Sequence, residues 1–218
     1  MAQIFHHAAN TVVKVTILGA ALLIAGIGIT AWEVNNSYNV YKGVPQDQPV
    51  PFSHKHHVTD DGIDCRYCHT TVETSSFAGI PPTHTCMSCH SKIWVNSPML
   101  APVRESYATD QSIAWVRVNQ VPDFVYFDHS IHIAKGIGCT TCHGPIGDMP
   151  ITYRAHTLYM RWCINCHKHP WKYVRPKQYV FSVTYKPPPD QDAMGRRLVK
   201  QYGIKPPLVI TSCYTCHR

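Results

Sequence analysis

Hydrophobic positions are spread unevenly along the chain. Residues 15–32, VTILGAALLIAGIGITAW, carry no charge, and Val12 and Val13 extend the run past Lys14. About 20 helical residues at about 1.5 Å each cover the roughly 30 Å hydrocarbon core of a bilayer, and Lys14 can snorkel to its edge. The run outlasts the apolar stretch of a usual cleaved export signal, so a retained membrane anchor over residues 1–33 is expected. Lys14 on one flank and Glu33 on the other favour the N-terminus inside and everything later outside, with Trp32 at the interface.

Residues 34–51 are polar with Asn, Gly and Pro, and read as a linker. Beyond them 17 Pro and 12 Gly across the chain break the apolar residues into short runs, so little regular structure is expected. Residues 113–118, IAWVRV, suit a short strand. Residues 190–202 have a helical pattern, with Asp190 placed to cap the start and Gly203 to end it. The segment KPPPDQ from Lys186 to Gln191 must be extended or turned.

Composition narrows the class. At 218 residues and 44% hydrophobic content the chain suits one or two folded domains, and a disordered protein is excluded. A mean hydropathy of −0.17 excludes a polytopic membrane protein. The ten Cys decide more. All fall in five Cys-x-x-Cys-His motifs: Cys65 and Cys68 before His69, Cys86 and Cys89 before His90, Cys139 and Cys142 before His143, Cys163 and Cys166 before His167, and Cys213 and Cys216 before His217.

This motif attaches haem c: two thiols two residues apart reach the two vinyl groups of one porphyrin, and the adjacent His supplies its imidazole to the iron. Zinc sites use two Cys pairs per metal, and five pairs would leave one over. A disulfide scaffold would not require one spacing five times. With 15 His in the chain, five chance His after five Cys pairs have odds of roughly one in a million. Five covalent haems c are therefore expected, reached by export across a membrane. About 185 residues outside the anchor leave roughly 37 per haem, too few for an apolar core around each, so the haems must themselves be the core.

The chain also repeats. Phe52-x-His54-x-x-His57 stands thirteen residues before Cys65, and Phe127-x-His129-x-x-His132 twelve before Cys139. His54 to His129 is 75 residues, Cys65 to Cys139 is 74, and Cys213 lies 74 beyond Cys139. Two dihaem modules, 52–126 and 127–218, are expected, the second carrying the fifth haem at its end. An electron-carrying haem is normally six-coordinate, so each iron needs a distal His or Met. His54, His57, His129 and His132 are the candidates for four of these. His56 between them should be exposed, and His6 and His7 precede the anchor on its far side. The fifth position is open between His156, Met149 and Met160, with His84 and His169 awkwardly close to attachment motifs.

The cofactors revise the formal charge of +7. Each brings two propionates and, when ferric, about one positive charge on its core. Five ferric haems therefore lower the total to about +2, and five ferrous haems to about −3. Arg196, Arg197 and Lys200 belong to the basic excess that would solvate propionates or face a partner. The basic residues are scattered, which argues against nucleic acid.

The Phe-x-His-x-x-His pattern ahead of an attachment motif resembles the class III multihaem cytochromes c. The strings WVRVNQVPDFVYFDHSIHIAKGIGCTTCHGPIGDM from Trp115 to Met149, GIPPTHTCMSCH from Gly79 and YMRWCINCHKHP from Tyr159 are similar to the pentahaem cytochrome c subunits of alternative complex III, a bacterial quinol:electron-acceptor oxidoreductase. That resemblance covers almost the whole chain. It implies a mostly irregular and α-helical class III-like fold with one N-terminal transmembrane helix. It further implies residence in the inner membrane with the haem domain on the periplasmic face. The implied partners are quinol-binding integral membrane subunits, an iron–sulfur subunit and a monohaem cytochrome c. The implied role is electron relay without substrate chemistry of its own. A stand-alone membrane-anchored quinol dehydrogenase is the alternative, disfavoured by five haems and by a first site some thirty residues past the anchor. A multihaem reductase would need an open iron, and no motif departs from Cys-x-x-Cys-His to mark one.

Overall fold

The computed structural model describes residues 5–36 and 40–217. Residues 1–4 of the expected anchor, 37–39 of the expected linker, and 218 lie outside the described residues. The chain divides into two compact units, Met1–Tyr41 and Lys42–Arg218.

The first unit is dominated by one helix, α1 (Ala9–Asn36), of 28 residues. Its stretch Ala9–Val34 is long and apolar enough to cross a membrane, and its large side chains such as Leu22, Leu23 and Ile24 lie open. The Thr16 and Thr30 hydroxyls donate to the carbonyls of Val12 and Gly26, four residues back, at 2.9 and 2.8 Å. Both are thereby satisfied without water, as a bilayer requires.

The second unit is a string of short helices with no strand among the described residues; its bridges are isolated, Lys42 with Arg154, Pro45 with Tyr153, and Ile137 with Val174. The helices are α2 (Cys65–Cys68), α3 (Thr83–His90), α4 (Ala101–Thr109), α5 (His129–Ala134) and α6 (Cys139–His143), followed by α7 (Met160–Lys168), α8 (Gln191–Gln201), α9 (Pro207–Ile210) and α10 (Cys213–Cys216). Five of these carry the attachment motifs. Lys55–Asp60 forms a single π-helical stretch. Helices this short cannot persist alone, so packing must hold them.

The strand expected at 113–118 does not form. Among the described residues no neighbouring strand reaches it, and the Gln48 side chain satisfies Val116 instead, accepting from its N–H at 2.9 Å and donating to its carbonyl at 3.0 Å. Helix α8 lies where the pattern placed it, bounded by Asp190 and by Gly203 at φ +59°, although the Asp190 side chain makes no capping bond.

The protein core is small. Ile137, Val174 and Leu198 are buried together, with Cys142, Tyr173, Met194, Val199, Tyr202 and Ile204 against them. Helix α8 approaches the turn Pro170–Lys172 so closely that a Cβ at Gly195 would overlap the Trp171 carbonyl oxygen. Only glycine permits that contact. Gln191 reinforces it by donating to the carbonyls of Trp171 and Val174, each at 2.9 Å. Many large apolar side chains of this unit stay open, among them Phe77, Trp94, Phe124, Met160, Leu208 and Tyr214. Such exposure fits a domain whose apolar filling is a cofactor rather than side chains.

Candidate haem-binding centre

The site is built from imidazoles held by the backbone. His69 shares a hydrogen bond from Nδ1 with the carbonyl of Gly79 at 2.7 Å, His90 with Ile93 at 3.3 Å, His167 with Ile210 at 2.7 Å and His217 with Phe124 at 3.0 Å. His57 does the same with Ser53 at 2.9 Å, His129 with Ser76 at 2.8 Å and His132 with Asp128 at 2.6 Å. A carbonyl can only accept, so each of these rings carries its proton on Nδ1 and offers Nε2 as a lone pair. That tautomer, fixed by the second nitrogen's partner, is the one a metal-ligating histidine needs. His54 meets the Thr152 hydroxyl with Nδ1 at 3.0 Å.

The rings then come together in pairs, two near-parallel at 5° and 26° and one, His57 with His90, edge-on at 68°. His57 and His90 have centroids 6.2 Å apart, His129 and His143 6.4 Å, and His132 and His167 6.2 Å. These are too far for direct stacking. A metal–imidazole bond is about 2.0 Å, so two rings on opposite sides of one metal have centroids about 6 Å apart. The separations therefore fit a six-coordinate iron between each pair.

Burial and crowding favour the neutral form of three of these imidazoles, His54, His132 and His143. Burial first, then the nearby His69, His143 and His57, lower the pKa of His54 to about 4. Burial first, then His129, His69 and His156, lower that of His143 to about 4. His132 is lowered mainly by burial too. Neutral rings can bind a metal, whereas imidazolium cannot.

The thiols show which attachment loops touch. Cys65 Sγ points at the Phe181 carbonyl at 3.9 Å, while the Cys139 N–H donates to the Val180 carbonyl at 3.2 Å. The neighbouring Cys139 thiol lowers the Cys65 thiol, and Cys65 in turn raises Cys139, with burial adding to the rise. Burial pushes Cys142 up to about 12 and Cys166 up to about 11.

Sequence reasoning missed Arg175. It is buried, lies against Gly138 with no room for a side chain there, and donates to the Thr140 and Thr141 hydroxyls at 3.0 and 3.2 Å. It thus braces the loop between Cys139 and Cys142, and its guanidinium stacks 4.6 Å from the centroid of the Tyr185 ring. The signal for it was slight: a glycine just before one attachment motif. Among the basic residues singled out by sequence, Arg196 lies 4.3 Å over the Trp171 ring and so serves the α8 contact.

The remaining histidines form no pair at that separation. His56 is exposed beside Asp60 and Asp61, at 3.9 and 3.6 Å. His84 meets the edge of Tyr107, and His169 bonds the Asn165 carbonyl. His217 stacks on Phe124 at 5.8 Å, and among the described residues no imidazole faces it. His156 stacks on Trp162 at 5.2 Å. Met149 is 1% exposed and packs beside Gly144, while Met160 is open.

Paired cysteines on short helices, imidazoles of the correct tautomer, facing rings at iron-bridging separation and uncovered apolar side chains together fit covalent haem c. No family model matches the chain. The multihaem cytochrome c subunit of menaquinone reductase from Nitratidesulfovibrio vulgaris is 32% identical over 143 residues, which cover 56% of this chain and 68% of that protein.

Proposed function

We propose, from the premise that this chain belongs to the multihaem cytochrome c family, that it carries five covalent haems c and relays electrons between a membrane quinone-handling assembly and an acceptor outside the membrane. The observation that carries this reading is the set of three facing imidazole pairs at 6.2, 6.4 and 6.2 Å, each joining one repeated His to one attachment motif. His54 would complete the first site opposite His69, and His156, Met149 or Met160 would supply the fifth distal ligand. Each bound haem supplies a one-electron change at its iron.

The residues do the rest. The Cys pairs would hold the macrocycles covalently and the carbonyl-fixed imidazoles would bind the irons, while the short connections would keep the groups close together. The domain reading goes with this: an anchor over 1–33, a linker over 34–51, and dihaem modules over 52–126 and 127–218, the second ending in the fifth site. The anchor would place the haem modules on the periplasmic side of the inner membrane.

By its resemblance to the alternative complex III subunits, the chain takes electrons from quinol-oxidising membrane subunits and an iron–sulfur subunit and passes them towards a cytochrome c. A second reading is favoured by the relative, a subunit of a menaquinone reductase: the same row run in reverse would deliver electrons to a quinone. The test is stopped-flow haem reduction by a menaquinol analogue, on the isolated subunit and on the complex purified in mild detergent. Reduction by dithionite alone in the subunit, with inhibitor-sensitive reduction by menaquinol in the complex, is expected. Fast, inhibitor-sensitive reduction of the isolated subunit would instead make it a stand-alone quinol dehydrogenase. Oxidation of pre-reduced haems by menaquinone in the complex, without the forward reaction, would select the reverse direction.

A further inference from the structure

We infer that the five attachment sites stand in one row whose spatial order differs from their order in sequence: second, first, third, fourth, fifth. The inference rests on the five-haem reading and adds which sites are the ends. Those ends are the sites of His90 and His217, where electrons must enter and leave.

Four joints make the row, and they are of two kinds. The first kind is a helical turn that serves two sites at once. His54 and His57 stand on one turn; His57 lies 6.2 Å from His90 of the second site, and His54 is crowded by His69 of the first and His143 of the third. A bond of 2.9 Å between the Tyr67 and Ser88 hydroxyls ties the same two attachment loops together. On α5, His129 faces His143 of the third site at 6.4 Å and His132 faces His167 of the fourth at 6.2 Å. These turns join second to first and third to fourth.

The second kind is a backbone seam. Consecutive carbonyls, Val180 and Phe181, hold the first cysteine of the third site and of the first, Cys139 and Cys65, so these sites stand back to back. At the other seam, His167 of the fourth site bonds the Ile210 carbonyl at 2.7 Å, three residues before Cys213 opens the fifth. The fifth site is pinned again where the Tyr126 N–H donates to the Cys216 carbonyl at 2.8 Å, just ahead of α5.

Exposure supports the same ends independently. Of the ten cysteines only Cys89 and Cys213 are exposed, one in the second site and one in the fifth. An interior site has neighbours on both sides, whereas an end site leaves one side for a partner.

The experiment is the arrangement of irons in the haem-loaded full chain in detergent. Iron anomalous diffraction or cryo-EM would locate them, and the thioether bonds would assign each to its motif. Five irons are expected, with that of His69 between those of His90 and His143, and those of His90 and His217 each having a single close neighbour. Five irons in any other neighbour order overturn the row. Fewer than five irons, matched by an intact mass short of five haems, overturn the five-haem reading itself.

Discussion

The two copies of Phe-x-His-x-x-His have nearly the same geometry on different supports. Phe52 meets His54 edge-on at 5.0 Å and 87° and stacks on His57 at 4.5 Å and 23°. Phe127 meets His129 at 4.8 Å and 88° and stacks on His132 at 4.6 Å and 29°. Yet the first turn is π-helical and the second α-helical. The first rests on the turn Ile146–Asp148, where Lys55 and Thr59 donate to the carbonyls of Met149 and Gly147, whereas the second leads into the buried cluster of Ile137, Val174 and Leu198, braced by Arg175 and α8. One local pattern sets the imidazole geometry, then, and the surrounding packing sets how firmly it is held.

Removing cofactors should separate these roles most strongly. Matured protein should exceed its polypeptide mass by about 3 kDa for five haems and retain them after denaturation. Replacing Cys139 and Cys142 by Ser should abolish a folded product, because they sit at the central seam and against the core. Replacing Cys86 and Cys89 by Ser should leave a folded tetrahaem protein. Intact mass and visible spectra check both; equal yields of the two variants would remove the distinction between core and end.

Next in size are the ligands. His57→Ala and His132→Ala should each turn one haem of five high-spin and shift its potential, measured by EPR and redox titration. The spectral effect should match between copies while thermal stability falls further for His132→Ala, the more deeply held ring. Low-spin spectra in both variants would sink the ligand assignment.

How far this arrangement was legible in the sequence follows the range of each interaction. The attachment motifs, the His-x-x-His repeats and α8 are local patterns, and local patterns survive without knowledge of the fold. The row order was not legible, because its seams join Cys65 and Cys139 to carbonyls at 181 and 180, far along the chain. Residues 113–118 misled for the same reason. A strand needs a partner, and alternation cannot say that a Gln48 amide will take the partner's place.

A smaller effect should come from the support of the second copy. Gly195→Ala would drive a methyl into the Trp171 carbonyl and prise α8 from its turn, costing about 2–4 kcal/mol. Leu198→Ala should cost about as much through the cavity it leaves. Chemical denaturation would measure both. The second module should carry the loss, so hydrogen exchange should rise around Ile137 and Val174 and stay unchanged around Val72 and Val103.

The smallest effect compares the residue just after each Phe. In the first copy Ser53 Oγ accepts from the His56 N–H at 3.1 Å; in the second, Asp128 Oδ1 accepts from the Ile131 N–H at 3.4 Å and from the Ser130 hydroxyl at 2.7 Å. Both side chains cap the turn that carries two imidazoles, and both backbone carbonyls hold the second imidazole's Nδ1. Loss of such a cap costs about 1 kcal/mol. Ser53→Ala and Asp128→Ala should therefore each lower stability by about that much while the haem spectra stay low-spin, since the carbonyls remain. Asp128→Ser should be close to neutral, because the first copy already uses that residue in that place. A loss from Asp128→Ser as large as from Asp128→Ala would show that the carboxylate charge, and not the cap geometry the two copies share, is what steadies the second turn.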